Sequence, residues 1–452
     1  MADAAARPRV STIQTVVEAD LCSGCGVCAG TCPRGLLSMV TDARGCRVPT
    51  GYAACEKSCG VCEAACPFAS AGPDEDALAS VRFNAGVAHA PSPVGFAYAA
   101  WVGHVTDAHQ RESSSSGGLC TWFLDALIAD GRIDAVACVR PGAGERLFEY
   151  ALVSEDDELD QTRGSRYYPV DLAEVLGRIR SEDRRVALVG LPCALKGVAR
   201  AMARDRHLRE RIVCLVGLTC GQMKSEAYTE YLARRAGLAA EPDTAQYRVK
   251  VPGRPAGEFR FVFGAGGDSR VIEWLGTPSA LWTAHWFTVR ACHFCDDLFA
   301  EVADVSFMDA WLEPYASEWR GTSIAVVRDP ALASYFSAEA HSGDRTVEPI
   351  DIERVVASQS RALRDKREGL GWRLAQAARL HAPVPPKRAV PVGRATASER
   401  LRWWSQSYLA DASFRAWASG ADERAVSGTL NRLRYVTRLL DGLQRLMRRF
   451  GL

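Results

Sequence analysis

The sequence predicts a mixed α/β core, of class α+β or α/β, that follows a small cysteine-rich domain and precedes a basic, helical C-terminal extension. From Phe96 onward, strand-like and helix-like segments alternate, which is typical of a sheet covered by helices. Nine of the 16 cysteines lie between Cys22 and Cys66, a density that ordinary core packing does not explain. From Pro385 to the end of the sequence, 13 Lys and Arg face 5 Asp and Glu, a net charge of +8.

The overall composition is that of a globular protein. The chain has 452 residues, of which 48% are apolar and 24% charged, so it is long enough for several domains. Its net charge is only +1, because the residues before Pro385 carry −7, and no overall positive field favours nucleic-acid binding. The sequence contains neither a run of about 18 apolar residues nor an export signal. We therefore expect a cytoplasmic protein without a membrane span.

Two cysteine runs near the N-terminus have the spacing of metal ligands. A long chain without an export signal is more typical of metal-binding cysteines than of disulfides. Each run ends in Cys-Pro, and the second has one extra residue between its first two cysteines. The runs are Cys22, Cys25, Cys28 and Cys32, then Cys55, Cys59, Cys62 and Cys66. This spacing favours iron–sulfur clusters, although four-cysteine zinc sites also use two-residue spacings.

Residues 15–70 therefore resemble a two-cluster bacterial ferredoxin module, which carries single electrons. The resemblance implies that the fourth cysteine of each run binds the other cluster. Cluster one would then be held by Cys22, Cys25, Cys28 and Cys66, and cluster two by Cys55, Cys59, Cys62 and Cys32. Cys46 matches neither run and is expected to be a buried free thiol.

The core is predicted as alternating strands and helices between two linkers. Residues 71–95 and 383–395 are rich in Pro, Gly and small residues and are expected to be those linkers. Apolar runs predict strands at Tyr98–Val105, Ala135–Val139, Arg185–Val189 and Ile212–Leu218. Apolar residues at helical spacing predict helices at Gly118–Asp130, Leu172–Arg180 and Ala194–Arg204, with Asp171 as the N-cap of the second.

Two polar motifs in the core are candidates for binding a phosphate-bearing cofactor. The small and hydroxyl residues Ser113–Gly118 directly precede a predicted helix, where backbone amides and the helix dipole attract anions. The segment Arg163–Tyr168 offers two guanidinium groups beside aromatic rings, a set that would clamp a phosphate and stack on a planar ring. The alternatives are a simple serine N-cap with a flexible loop and a solvated loop with one buried tyrosine.

Four later cysteines are candidates for a third site. Cys193 and Cys220 each follow a predicted strand, and Cys292 and Cys295 have the two-residue spacing of a metal-binding knuckle. Because strand ends of one sheet can converge, these four thiols would form one site, and a redox dithiol is the alternative. His293 between the last two is expected to point outward. Three cysteines in apolar stretches are expected to be core residues: Cys120, Cys138 and Cys214.

The order of these motifs resembles that of the coenzyme F420 hydrogenase/dehydrogenase beta-subunit family over about residues 15–330. The order is Ser-Ser-Gly-Gly, Gly-Ser-Arg-Tyr, Gly-Leu-Pro-Cys, Cys-Gly and Cys-x-x-Cys, followed by Ala-Asp-Val-Ser at Ala303 and Asp-Ala-Trp at Asp309. The resemblance implies FAD, bound by Ser115, Ser116, Gly117, Gly118, Arg163, Gly164, Ser165, Arg166 and Tyr167. It also implies a third 4Fe–4S cluster, held by Cys193, Cys220, Cys292 and Cys295.

The resemblance further implies an oxidoreductase that passes electrons between 4Fe–4S clusters and a two-electron carrier through FAD. That carrier would be coenzyme F420 or another small-molecule donor or acceptor. Two alternatives stay open: a non-catalytic electron-transfer subunit of a larger redox complex, and a pathway-specific reductase in surface-polysaccharide or cofactor biosynthesis. A redox partner subunit is expected, and no motif favours a particular general acid or base.

This interpretation divides the chain into four parts. Residues 1–75 are the ferredoxin-like domain, 76–180 and 181–384 are the two parts of the flavin-binding core, and 385–452 are the basic extension. In the extension, apolar residues recur every three or four positions from Leu430 to Phe450, with arginines between them. Such a helix would lie on an anionic membrane surface, dock on a partner subunit or pack on its own domain.

Overall fold

The structure is a computed structural model that describes residues 12–55, 59–83, 92–154, 156–337, 343–388 and 395–420. It also describes four single helical positions at residues 428, 435, 439 and 442. The predicted apolar face from Leu430 to Phe450, with its arginines, lies outside the described residues.

Strands and helices alternate along most of the chain. The strands are β1 (Ser38–Thr41), β2 (Arg47–Thr50), β3 (Ala99–Val105), β4 (Ala135–Pro141), β5 (Phe148–Val153), β6 (Val186–Gly190), β7 (Ile212–Leu218), β8 (Thr244–Val249), β9 (Arg260–Ala265), β10 (Asp268–Glu273), β11 (Val305–Asp309), β12 (Ser323–Val327) and β13 (Arg345–Pro349). The first helices are α1 (Ile13–Glu18), α2 (Val27–Gly30), α3 (Val61–Ala65), α4 (Glu75–Phe83), α5 (Ala108–Ser113), α6 (Leu119–Ala129), α7 (Asp156–Asp160) and α8 (Ala173–Ser181). The remaining helices are α9 (Pro192–Met202), α10 (Arg206–Arg211), α11 (Glu226–Arg235), α12 (Thr277–Thr283), α13 (Ile352–Ser358), α14 (Ser360–Arg364), α15 (Leu370–Arg379) and α16 (Ala397–Ala418).

An eight-stranded mixed sheet forms the core, in the order β13-β3-β12-β11-β7-β6-β4-β5. Strands β4, β6, β7 and β11 are paired in parallel, whereas β5, β12, β3 and β13 are added antiparallel. The apolar runs of β6 and β12 are buried at every position, as expected for strands covered on both faces. The predicted mixed α/β class is therefore confirmed.

The predicted core elements agree with the structure to within about two residues at most ends. Strand β7 has the predicted bounds, and α6 begins and ends one residue inside the prediction. The N-cap of α8 is Leu172 and not Asp171 as predicted, although Asp171 accepts a hydrogen bond of 3.1 Å from the amide of Ala173. Its other oxygen lies 2.9 Å from Arg47, so this carboxylate also ties the cysteine-rich segment to the core.

Both predicted linkers contain ordered structure. Helix α4 lies within residues 71–95, and Arg82 of this helix contacts both carboxylate oxygens of Asp304 at 2.7 Å. In the second segment, Arg388 contacts Glu301 at 2.7 Å and Lys387 contacts Asp296 at 3.2 Å. The Pro- and Gly-rich composition correctly marked a change of element, but these ion pairs dock both segments on the core.

A three-stranded antiparallel sheet, β10-β9-β8, covers one side of the core and was not predicted from the sequence. Its inward side chains are aromatic, with the Tyr247 and Phe261 rings 5.1 Å apart. This aromatic packing attaches the small sheet to the loop that carries Tyr167, whose ring lies 5.3 Å from that of Tyr247.

Helix α16 packs on the body of its own chain. Trp403 is 1% exposed, and its indole nitrogen donates a 3.2 Å hydrogen bond to Asp365. The hydroxyl of Ser413 accepts a hydrogen bond of 2.8 Å from the amide of Phe287. For residues 395–420, packing on the own domain is therefore the observed arrangement. Among the described residues, no helix combines the length and the apolar character needed to cross a membrane.

Candidate functional site

A cavity of about 530 Å³ lies at the carboxyl ends of the parallel strands. Residues at or just beyond the ends of four strands line it: Val139 in β4, Cys193 after β6, Cys220 after β7 and Asp309 in β11. In open α/β sheets, ligands bind outside the carboxyl ends of the strands, because the loops that follow the strands meet there. This cavity is therefore the candidate functional site.

The serine-rich loop forms one wall of the cavity. Ser115, Ser116 and Gly118 line it, and the hydroxyl of Ser116 donates a 2.8 Å hydrogen bond to the carbonyl oxygen of Thr322. The Lys250 ammonium donates hydrogen bonds to the carbonyl oxygens of Arg111, Ser116 and Arg320 at 2.5, 2.8 and 2.5 Å. Burial, then the nearby Arg248 and Arg111, lowers the pKa of Lys250 to about 7. Lys250 therefore holds the serine-rich loop in place through the backbone carbonyl groups of Arg111, before the loop, and Ser116, within it.

Gly117, unlike its neighbours in the loop, does not line the cavity. It packs against β3 and β12 instead. Its amide donates a 2.9 Å hydrogen bond to the hydroxyl of Ser323. A Cβ at this position would lie 2.5 Å from the carbonyl oxygen of Gly103 and 2.7 Å from the Ser323 nitrogen. Only a glycine allows the loop to approach β3 and β12 so closely.

The second predicted loop forms the adjoining wall. Residues 163–168 all line the cavity, and Ser165 donates a hydrogen bond of 2.9 Å to the hydroxyl of Ser115. Arg163 forms an ion pair with Asp160, while Arg166 donates to the carbonyl oxygen of Arg163 at 2.8 Å. Both guanidinium groups thus have partners within the loop, and their role as a phosphate clamp stays a prediction.

Aromatic rings close the cavity beside this loop. The Tyr167 ring lies 4.7 Å from that of Trp282, and burial raises the pKa of the Tyr167 hydroxyl. The neighbouring Trp274 packs 5.9 Å from Trp282 and also lines the cavity. This wall offers flat apolar surfaces with few exposed polar atoms, which suits a planar ring.

One charged pair in the cavity was not predicted from the sequence. Arg248 donates two hydrogen bonds of 2.7 Å to the two carboxylate oxygens of Asp309, and its guanidinium lies 5.2 Å from the Phe259 ring. Arg248 has a φ of 57°, a conformation that is uncommon outside glycine and clusters at functional sites. Asp309 belongs to a motif that the sequence singled out, whereas its partner lies in the small sheet that the sequence did not reveal.

Lys224 is a buried cation in the cavity wall. It is 1% exposed, and its ammonium donates hydrogen bonds to Gln222, to the carbonyl oxygen of Trp286 and to Thr288 at 3.1, 2.8 and 2.9 Å. Burial holds its pKa well below the ordinary value. With these three contacts, Lys224 anchors the segment that precedes α11.

The four cysteines of the predicted third site lie together. The pKa of the Cys193 thiol is raised by burial and by the neighbouring thiols of Cys295, Cys220 and Cys292. Cys292 also accepts a 3.2 Å hydrogen bond from the amide of Met223. Two of the four thiol residues, Cys193 and Cys220, line the cavity directly. The structure thus brings this set to the edge of the candidate site.

His293 does not point outward as expected from the sequence. It is 5% exposed, and its Nδ1 shares a hydrogen bond of 3.0 Å with the hydroxyl of Ser407 in α16. Burial lowers its pKa well below the ordinary value. The sequence could not show this, because α16 lies more than a hundred residues further along the chain and covers the loop only in the folded state.

The eight cysteines of the N-terminal runs form two neighbouring groups. Burial raises the pKa of the Cys28 thiol, and the adjacent Cys25, Cys22 and Cys66 thiols add to this effect. The other group lines a second, smaller cavity of about 40 Å³: Cys32, Cys55, Cys59 and Cys62. These are the two sets that the exchange of the fourth cysteine predicted.

The three thiol groups follow one another through the molecule. Cys62 of the second group is close enough to Cys28 of the first to influence its pKa, and Cys25 of the first group influences Cys193 of the third. Cys59 at the outer end is exposed. Among the described residues, no three His, Cys, Asp or Glu side chains are close enough to hold a single metal ion.

The remaining cysteines are distributed as follows. Cys46 is buried and lies close enough to Cys292 for that thiol to influence its pKa, which burial raises. Cys138 and Cys214 are buried as predicted, whereas Cys120 is half-buried. Cys120 and Cys138 also line the large cavity, which apolar sequence context did not indicate.

The fold and the site define a class of protein: a cysteine-rich, mixed α/β protein with three neighbouring sets of four cysteines, the last of which borders the large cavity. Two family models match, described as the coenzyme F420 hydrogenase/dehydrogenase beta subunit N-terminus at residues 100–177 and C-terminus at residues 183–353. The chain belongs to the coenzyme F420 hydrogenase/dehydrogenase beta-subunit family. The family predicted from the sequence is thereby confirmed, and the ferredoxin-like residues 15–70 lie outside both matched segments.

Three curated relatives are all named as redox proteins. A subunit of the F(420)H(2) dehydrogenase of Methanosarcina mazei is 28% identical over 217 residues, which are 46% of this chain and 55% of that protein. The beta subunit of the coenzyme F420 hydrogenase of Methanothermobacter thermautotrophicus is 23% identical over 44% of this chain and 68% of that protein. The coenzyme F420-dependent sulfite reductase of Methanocaldococcus jannaschii is 22% identical over 65% of this chain and 43% of that protein. The match to the first relative thus spans about half of its length.

One solved structure is also similar. It is a chain of the F420-reducing NiFe hydrogenase complex from Methanosarcina barkeri, with a TM-score of 0.47 and 16% sequence identity. The similarity covers 62% of this chain and 92% of that one.

Proposed function

We propose that this protein is an iron–sulfur flavoprotein oxidoreductase that passes electrons between 4Fe–4S clusters and a two-electron carrier through FAD. One observation carries the proposal: a single cavity is lined by both candidate flavin loops and by Cys193 and Cys220. A cofactor in this cavity would lie against two ligands of the third cluster. We also propose the division into four parts that the sequence predicts, namely a ferredoxin-like domain, the two parts of the flavin-binding core and the basic extension.

The chemistry of the three thiol groups fits iron–sulfur clusters, since each group supplies four cysteines. Positive groups next to the thiols favour their ionised form, which is the form that binds metal. Burial raises the pKa of the Cys66 thiol, and the positive charges of Arg200 and Lys196 oppose this rise. At Cys32, four backbone amides, from Arg34 to Leu37, lower the pKa of the thiol. In this proposal the groups hold cluster one, cluster two and the third cluster as the sequence assigned them.

The order of the thiol groups supports an electron relay. Cluster two would lie at the exposed Cys59, cluster one next to it, and the third cluster beside the cavity. An exposed outer end allows exchange with a redox partner subunit, and a buried inner end excludes water from the cavity side. The names of the relatives, which are subunits of a dehydrogenase and a hydrogenase, favour such a partner.

The lining of the large cavity fits a flavin. The hydroxyls of Ser115, Ser116 and Ser165 offer polar contacts on one side, and the Tyr167 and Trp282 rings offer a planar apolar surface on the other. FAD, when bound, exchanges a hydride with an organic substrate and releases electrons singly, a conversion that clusters alone do not make. The protein positions the ring and excludes water.

Arg248 and Asp309 are the candidate contacts for the small-molecule carrier. Arg248 lies between the rings of Phe259 and Trp311, at 5.2 and 5.5 Å, and the Asp309 carboxylate fixes its guanidinium plane. Both Nη groups already donate to Asp309, whereas Nε has no partner among the described residues, so a carboxylate or phosphate of a ligand would bind at the remaining N–H groups of Arg248. The names of the relatives make coenzyme F420 the first carrier to test.

The test uses full-length protein purified without oxygen. We expect about 12 iron atoms and one flavin per chain, as three 4Fe–4S clusters and one FAD require. Reduced coenzyme F420 should then reduce an artificial dye, and the rate should depend on flavin content. Zinc in place of iron would refute the relay. Iron without flavin or turnover would favour the non-catalytic electron-transfer subunit instead.

A further inference from the structure

Lys366 is a buried cation in the C-terminal part of the chain, beyond residue 353 where the family models end. It is 4% exposed and lies in a π-helical turn, Asp365–Gly369, between α14 and α15. Single π-helical turns are rare and are frequently found at functional sites. The π-helical turn therefore marks Lys366 as a candidate functional residue.

The Lys366 ammonium lies against the third group of thiols. It lies next to the sulfur of Cys295, and the thiols of Cys292 and Cys220 are also close enough for their charge to act on it. The relation is mutual, since Lys366 is the strongest charged neighbour acting on both Cys292 and Cys220. The positive charge of Lys366 thus acts on three of the four thiols of the third group.

Burial of this ammonium requires a compensating negative charge. An unpaired ammonium that is removed from water is strongly destabilising. The next residue of the turn, Arg367, has a carboxylate partner, because it donates a 2.9 Å hydrogen bond to Glu301. For Lys366 the dominant partners are the three thiols, and these carry negative charge when they act as metal ligands.

Helix α16 holds the turn in this position. Asp365, next to Lys366, accepts hydrogen bonds from Arg402 at 2.9 Å and from the Trp403 indole at 3.2 Å. At the other end of the turn, Gly369 is so close to Trp403 that a Cβ would lie 2.8 Å from its indole nitrogen. The C-terminal extension thus presses the turn, and Lys366 with it, against the thiols.

We propose that Lys366 raises the reduction potential of the third cluster and thereby holds an electron next to the cavity. Adding one electron makes the cluster and its four thiolates more negative by one charge. A positive charge next to a ligand sulfur stabilises that reduced form more than the oxidised form, so it raises the reduction potential. This inference rests on the proposed function, because it requires a cluster at the third site.

The test is a redox titration of the full-length protein, purified without oxygen and followed by electron paramagnetic resonance. The signal that disappears in Cys220→Ala identifies the third cluster. Lys366→Met removes the charge and nearly keeps the length of the side chain, Lys366→Gln is a second neutral replacement, and Lys366→Arg keeps the charge. Arg367→Met is the matched control, since it removes a cation from the same turn that pairs with Glu301.

In Lys366→Met we expect the reduced-to-oxidised ratio of the third cluster at a fixed potential to fall at least tenfold. This corresponds to a shift of about 59 mV for one electron. Lys366→Arg should restore most of the ratio, and Arg367→Met should leave it within twofold. If Lys366→Met does not fold, Lys366→Gln should show the same fall.

Three results would overturn the inference. An unchanged potential in the neutral variants, with the signal intact, would refute the role of Lys366 and leave the proposed function standing. If Cys220→Ala lost neither a signal nor iron, the third cluster itself would be refuted. An equal shift in Lys366→Arg would show that packing, and not charge, sets the potential.

Discussion

The hydroxyl of Ser165 donates a 2.9 Å hydrogen bond to the hydroxyl of Ser115, and this contact joins two loops that are 50 residues apart in sequence. The sequence marked each loop as a cofactor-binding candidate on separate grounds. Their direct contact places the two loops side by side in the lining of one cavity.

Removing this contact should weaken flavin binding. In the double variant Ser115→Ala/Ser165→Ala, we expect flavin affinity to fall about fivefold, as for the loss of about 1 kcal/mol from one hydrogen bond. Flavin released on denaturation of dialysed protein gives the measurement. Ser113→Ala is the control, because the Ser113 hydroxyl donates only to the carbonyl oxygens of His109 and Gln110. Equal flavin retention in both proteins would exclude a role for the contact.

Removing one thiol of the third group should remove one cluster. In Cys220→Ala we expect the iron content to fall by about four atoms per chain, with the two N-terminal clusters retained. The matched control is Cys214→Ala, since Cys214 is a buried core cysteine in the strand that precedes Cys220. Iron analysis of both variants provides the measurement, and the same iron loss in both would point to general unfolding.

Adding a methyl group at Gly117 should destabilise the serine-rich loop. In Gly117→Ala, the new Cβ would clash with the Gly103 carbonyl oxygen, and we expect the free energy of unfolding to fall by about 1–3 kcal/mol. Gly144→Ala is the control, because a Cβ there meets no atom within 4 Å. Chemical denaturation of both variants measures the difference, and an unchanged midpoint in Gly117→Ala would refute the close approach.

Lys250 should make stability depend on pH above neutrality. Its pKa is about 7 in the folded protein, against an ordinary value of 10.5, so the unfolded chain binds more protons between these values. The free energy of unfolding should therefore rise with pH across this window. The rise should be absent in Lys250→Met, so the difference between wild type and variant isolates it. If the free energy of unfolding had the same pH dependence in wild type and Lys250→Met, the three carbonyl acceptors would keep the Lys250 ammonium charged, and the prediction would be wrong.

The neighbouring tryptophans of α16 should differ sharply in their contribution to stability. Trp403→Ala removes a buried side chain, and we expect a loss of about 3–5 kcal/mol in the free energy of unfolding. Trp404 is 49% exposed and stacks on Tyr408, so Trp404→Ala should cost about 1 kcal/mol or less. Denaturant titration compares the two variants. Similar losses would contradict the packing of α16 on its own chain.

Local sequence patterns determined much of the fold and part of the site. The continuous apolar run of β6 predicted a strand, because a strand covered on both faces has no solvent side. Cysteine spacing marked the two N-terminal runs, and the resemblance to ferredoxins, not the spacing, implied that the runs exchange their fourth cysteines. The serine-rich and Arg-Gly-Ser-Arg-Tyr motifs indicated the two walls of the cavity.

The tertiary structure alone decided which distant residues meet. It paired Arg248 with Asp309, placed Cys25 near Cys193 and brought Lys366 against three thiols. None of these contacts has a local signature, because each joins segments that approach only when the sheet, the small aromatic sheet and α16 pack together. The sequence thus indicated the candidate loops and thiols, and the packing of the elements decided which further residues join them and how these groups are connected and shielded from water.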